Sequence, residues 1–138
     1  MRFETENELL MPQRSTQFSA GYDFYLPEDI TIAPHASVKV DLKVAANLNS
    51  NQVLMLFVRS SIGINQNVTL ANTVGIIDAD FYPNTIIACL RNNTGMPIKL
   101  VKGSRVCQGI IVNYCLADND KEDIYKSCRR GGIGSTGK

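Results

Sequence analysis

The stretch VKVDLKVAANLNSNQVLMLFV, residues 38–58, decides the fold class. Two short apolar runs, Val38 to Leu42 and Val53 to Val58, flank the polar segment Asn47 to Asn51. Asparagine and serine clustered between apolar runs are turn chemistry. The same grammar continues outward in both directions. Further candidate strands are Phe24 to Leu26, Ile30 to Ile32, Val68 to Leu70, Thr85 to Leu90, Ile98 to Leu100 and Val106 to Val112. Turn-rich segments separate them: Pro27-Glu28-Asp29, Asp80 to Asn84, and Asn92 to Gly95. No window sustains a 3.6-residue apolar period, and one short helix fits Ser60 to Asn65. Short strands spaced by roughly 8–12 residues predict an all-β sandwich or barrel.

Composition sets the outer bounds. The chain has 138 residues, 44% hydrophobic and 20% charged, which suits one globular domain. No run approaches the roughly 18 apolar residues of a membrane span. The formal net charge is +1, so nothing draws the chain as a whole to nucleic acid. The N-terminus MRFETENELL lacks an apolar signal segment, which predicts a cytoplasmic protein with reduced thiols. Cys89, Cys107, Cys115 and Cys128 form no CxxC pair, and His35 is the only histidine. A zinc site and a Ser-His-Asp or Cys-His hydrolase are therefore poor readings. Enzymatic chemistry here has to run on carboxylates, arginines, backbone amides or a bound metal.

Five places offer such chemistry. From Ala117 the chain reads ADNDKEDIYKSCRRGGIGSTGK, with too few apolar residues to build core. Its glycines admit close backbone approach to a ligand. Arg129, Arg130, Ser135 and Thr136 supply charge and hydroxyls, as in a phosphate-cradling loop. Taken alone it also reads as a flexible basic terminus. Arg59-Ser60-Ser61 follows the apolar run; a strand end leading into a helix start is an anion site, with Ser60 as the cap, or an ordinary N-cap beside a surface arginine. In ANTVGIIDADF, residues 71–81, Asp78 closes a strand and is a candidate general base for water, with Asp80 a competitor. Asp23, in SAGYDF, suits the water shell of a magnesium ion or a plain turn. Gln108, in GSRVCQGIIV, offers an amide to phosphate or faces solvent.

Singly these signals are weak; their order is specific. AGYD, RSS, GxID, GxRxxQ and GGxGSTG, in that sequence from about Ser19 to Lys138, resemble the trimeric dUTPase family. The resemblance implies a distorted β jelly roll over residues 1–116 and an extended C-terminal arm over 117–138. It also implies a homotrimer whose active sites draw motifs from neighbouring subunits. The reaction it implies is hydrolysis of dUTP to dUMP and pyrophosphate, with Mg2+ on the triphosphate and attack at the α-phosphorus.

Carried over residue by residue, Asp78 matches the aspartate that activates the water. Asp23 matches the aspartate near the magnesium's waters, and Arg59, Ser60, Ser61 and Gln108 match phosphate-binding positions. Asn72 and Gly75 match the hairpin that reads uracil, where a tight pocket excludes the thymine methyl. Phe81 stands where the family usually has the tyrosine beneath the deoxyribose, a ring that excludes a 2′-hydroxyl; the adjacent Tyr82 is the lesser candidate to compensate for the missing hydroxyl, and Pro83-Asn84 replaces the usual glycine-containing turn. In the arm, Ile133 replaces the aromatic that covers uracil, and Gly134, Ser135 and Thr136 match the phosphate-closing glycine-rich segment. The γ-phosphate role falls to Arg130, with Arg129 the alternative.

Two rival readings remain to be weighed. A dCTP deaminase shares this fold but needs a glutamate in the strand TIIACLRN, residues 85–92, where Cys89 stands instead. A dUTPase-like regulatory protein that binds other proteins is the non-enzymatic alternative. Retention of Asp23, Arg59, Asp78, Gln108 and the GSTG segment favours the enzyme.

Overall fold

The computed structural model describes residues 1–120. Its strands, in chain order, are β1 (Arg2–Glu4), β2 (Tyr22–Tyr25), β3 (Ile30–Ile32), β4 (Ser37–Asn47) and β5 (Gln52–Val58). A one-turn helix α1 (Ser60–Gly63) leads to β6 (Val68–Leu70), β7 (Gly75–Asp78), β8 (Thr85–Asn92), β9 (Ile98–Leu100) and β10 (Arg105–Asn113). They pair antiparallel in two four-stranded sheets, β1-β4-β8-β6 and β2-β10-β5-β7, and a two-stranded sheet, β3-β9. This is the all-β architecture the short apolar runs predict.

One core holds the sheets together. Along β8 the side chains of Ile86, Ala88, Leu90 and Asn92 are buried while Ile87 and Arg91 are exposed, the two-residue period of a strand with one wet face. Leu54 and Leu56 of β5, Phe24 of β2, Val106 and Cys107 of β10 and Ile77 of β7 complete the same cluster from the other sheet. Ile32 and Leu100 close it from β3 and β9. Asn92 is fully buried, but its amide donates to the carbonyls of Ile32, Ala33 and Met96, at 3.1, 3.2 and 2.7 Å. Its side-chain oxygen accepts from the Thr94 amide at 2.8 Å. A buried polar group so satisfied ties the turn before β9 to β3.

Three departures from the sequence reading have local causes. β4 runs past Leu42 to Asn47, because a bulge lets the strand resume. At the bulge Lys43 takes φ 59°, and Asp41 accepts from both its backbone N and its Nζ at 2.8 Å. The helix stops at Gly63, and Asn67 at φ 52° turns the chain into β6. β1 lies outside the expected set because only Phe3 is apolar there. That ring meets Tyr22 and Phe24 edge-on, with centroids 5.2 and 5.5 Å apart, and this binds β1 to the second sheet.

Candidate active site

A polar cluster sits at one end of the β2-β10-β5-β7 sheet. Its centre is Asp23, which is only 5% exposed. Asp23 Oδ1 pairs with Arg59 Nε at 3.1 Å, and Oδ2 with Arg105 Nη1 at 3.1 Å. Ser15 Oγ donates to the same Oδ2 at 2.7 Å. Gln108 stands directly opposite Asp23 across the β2–β10 ladder. An added Cβ on Gly21 would come within 3.0 Å of Gln108 Oε1. The glycine of AGYD thus leaves the space the glutamine occupies, and the first and fourth motifs meet physically.

A bulge builds this cluster. Arg105 and Gln108 are three apart, so a regular strand would point them to opposite faces. The β2–β10 register shifts between Arg105 and Cys107, which reverses the parity. Arg105 then lies opposite Tyr25 and Gln108 opposite Asp23, on one face. Arg105 is the site residue the sequence reading leaves without a role, although GSRVCQ contains it. Strand parity argues against it, and only the register reveals it.

Arg59 arrives from the neighbouring strand. Its backbone N donates to Val106 O at 3.1 Å, and its carbonyl accepts from Gly63 N at 2.8 Å. Arg59 itself is the helix N-cap and makes no side-chain cap bond. This corrects the expectation that Ser60 caps the helix. Ser60 and Ser61 are both exposed beside the arginine, so their hydroxyls remain on the surface next to the cluster.

The third-motif candidates are spread along β7: Gly75 pairs with Leu56 on the Arg59 side, with Asn72 before it, and Asp78 lies at the opposite end of the sheet. Asp78 is the last residue of β7 and pairs in register with Val53, at the start of β5. From Val53 to Arg59 the strand rises about 20 Å. Asp78 then opens a single 3₁₀ turn, Ala79–Phe81. Phe81 is half-buried and rests against the core. Asn72 is exposed in the loop between β6 and β7, where Thr73 takes φ 66° and its N donates to Leu70 O at 3.0 Å. A Cβ on Gly75 would come within 3.1 Å of Leu56 Cβ, so this glycine also has a packing reason to be small. Tyr82 does not stand in for a hydroxyl at the Phe81 ring. Its OH donates to Glu4 Oε2 at 2.9 Å.

Other features bear on what the site can do. Burial pushes the Cys107 thiol up to about 12, which keeps it protonated and inert beside Gln108. A cavity of about 660 Å³ opens between the N-terminal segment, β4 and the Pro83–Thr85 corner. None of the expected site residues lines it. Arg129, Arg130, Ile133, Gly134, Ser135 and Thr136 lie outside the described residues.

Comparison with known proteins decides the family. The family model described as dUTPase matches residues 7–137. The chain belongs to the dUTPase family. Among its relatives, the deoxyuridine 5′-triphosphate nucleotidohydrolase of Lactococcus lactis is 36% identical over 132 residues, 92% of this chain and 87% of the relative. That of Corynebacterium jeikeium is 33% identical over 138 residues, 96% and 88% of the two chains. The crystal structure of the Streptococcus mutans dUTPase superposes with a TM-score of 0.81 at 36% identity, covering 86% of this chain and all of that one (100%). A dUTPase from phage phi11 of Staphylococcus aureus, 18% identical, shares the fold at a TM-score of 0.76, covering 91% and 98%. Within the dUTPase frame, the cluster around Asp23 gathers the first, second and fourth motifs, and the β6–β7 loop with Asp78 and Phe81 is the third.

Proposed function

We propose that this dUTPase hydrolyses dUTP to dUMP and pyrophosphate at sites assembled between copies of the chain. The carrying observation is that the phosphate-binding motifs and the Asp78–Phe81 turn occupy opposite ends of one sheet face. Phe57 stands opposite Gln108, Met55 opposite Ile110 and Ile76, and Val53 opposite Val112 and Asp78. Ile76 and Val112 are exposed on this apolar face. A second copy that covers it would remove the apolar surface from water and bring its own Asp78 to the first copy's Arg59. A closed ring of three copies satisfies every site in the same way.

Each group then has a task. Arg59, held by Asp23, presents positive charge to the triphosphate, and Gln108, Ser60 and Ser61 add hydrogen bonds. Asp78 accepts the proton of the attacking water as general base. The charge that develops on the phosphoryl oxygens meets donors already in place, which is the main requirement of phosphoryl transfer. The loop at Asn72 and Gly75 receives uracil, and the Phe81 ring lies under the sugar. The glycine-rich segment from Arg130 to Thr136, with Ile133 over the base, closes on the bound nucleotide from the arm of residues 117–138.

Among the described residues no three His, Cys, Asp or Glu side chains cluster to hold a metal. Asp23 already receives three donors, from Arg59, Arg105 and Ser15, of the about four lone-pair positions a carboxylate offers. This fits contact through water, and magnesium characteristically keeps its waters. Mg2+ carried by the triphosphate would neutralise its charge when bound.

The test is pyrophosphate release with Mg2+ from dUTP, dTTP, dCTP and UTP, with Asp78→Asn as control. Release from dUTP alone, lost in the variant, is expected. Equal release from UTP would overturn the sugar reading, and no release from dUTP would overturn the assignment.

A further inference from the structure

We propose that Tyr82, anchored on Glu4, is a positioning residue for sugar selection, holding the Asp78–Phe81 turn so that the Phe81 ring stays in the path of a 2′-hydroxyl. The proposal rests on the role given above to Phe81. The turn that carries this ring is secured on one side by β7, through the Asp78–Val53 pair. On its other side the chain folds back at once: Asn84 donates to Phe81 O from its backbone N at 3.0 Å and its Nδ2 at 2.8 Å. That local closure shapes the corner, and Ala79 and Phe81 rest on the core beneath it.

Tyr82 adds a directional polar tether to the N-terminal strand. Its hydroxyl reaches Glu4 Oε2 at 2.9 Å, across 78 residues of sequence. Glu4 is a firm anchor for two reasons. First, β1 is tied down by the Phe3 ring between Tyr22 and Phe24, and by its ladder with β4. Glu4 stands opposite Ala45, which itself stands opposite Thr85, so anchor and corner share one row of the sheet. Second, hydrogen bonds from Arg2 and then Tyr82 hold the Glu4 carboxyl below the usual range. The acceptor is thus a carboxylate and the bond is charge-assisted. In this chain the hydroxyl lies one residue after the sugar-facing ring and points away from it, so it acts on substrate only through Phe81.

The experiment compares kcat/KM for dUTP and UTP in wild type, Tyr82→Phe, Glu4→Ala, Glu4→Gln and Phe81→Ala. Loss of the tether in Tyr82→Phe or Glu4→Ala is expected to raise the UTP-to-dUTP ratio about tenfold, mainly through a lowered KM for UTP. Glu4→Gln keeps an acceptor and should stay within about threefold of wild type. The Tyr82→Phe/Glu4→Ala double variant should be no worse than either single one, since both remove one interaction. A ratio unmoved in Tyr82→Phe while Phe81→Ala relaxes it would overturn the tether and leave the Phe81 reading intact. A ratio unmoved in Phe81→Ala would overturn both. Equal loss on dUTP and UTP in Tyr82→Phe would reduce the bond to ordinary stability and sink the proposal.

Discussion

Two inactive variants of this chain, refolded together, should regain activity. Arg59→Ala removes the arginine proposed to bind phosphate, and Asp78→Asn removes the proposed base. Along β5 these groups are separated by the rise from Val53, the partner of Asp78, to Arg59, about 20 Å. The water on Asp78 must come within roughly 3–3.5 Å of the attacked phosphorus, so the separation along β5 favours taking the two groups from different copies. If each site takes Arg59 from one copy and Asp78 from another, a mixed ring contains intact sites. With equal amounts and random reassembly, each position holds the intact residue half the time, so about one quarter of sites recover. Arg59→Ala should still fold, because Asp23 keeps Arg105 and Ser15 as partners. The assay is pyrophosphate release from dUTP, before and after the variants are unfolded and refolded as a mixture. Activity near a quarter of wild type is expected after refolding, and none before. A refolded mixture no more active than the sum of its parts would refute the shared site.

Asp23→Asn should weaken both folding and binding. The amide brings a donor toward Arg59 or Arg105 in a buried place and removes the charge that orients them. The stability loss should be about 2–3 kcal/mol, read as a lower urea midpoint at fixed protein concentration, with a raised KM for dUTP; an unchanged midpoint and KM would show that Asp23 organises nothing. Cysteine reactivity tests the core. With its thiol at about 12, Cys107 should resist alkylation of the native protein at pH 8 while the exposed Cys115 reacts. Peptide mapping that found Cys107 modified first would contradict its burial.

The sequence alone determined the architecture and named most of the candidate site. Short apolar runs and polar turns are local properties, and they located Ile30–Ile32, Val68–Leu70 and Ile98–Leu100 with the bounds the strands actually have. Five short motifs in order carried the family. The identities of Asp23, Arg59, Gln108 and Asp78 were readable because charged and glycine-flanked positions stand out in an apolar strand context.

Tertiary structure decided what depends on register and on distant partners. Arg105 joins Asp23 only because a bulge reverses strand parity, and no residue near it signals the bulge. Ser60 yields the cap position to Arg59 because Ser60 is already the first helical residue, two after the strand ends at Val58. The Tyr82 hydroxyl belongs to Glu4, from the other end of the described chain, a contact that sheet order creates. Asp78 and Arg59 lie at opposite ends of one face because β5 runs between them. Side-chain chemistry is written residue by residue, whereas proximity follows from how strands pair, and pairing is settled by the burial of the whole core.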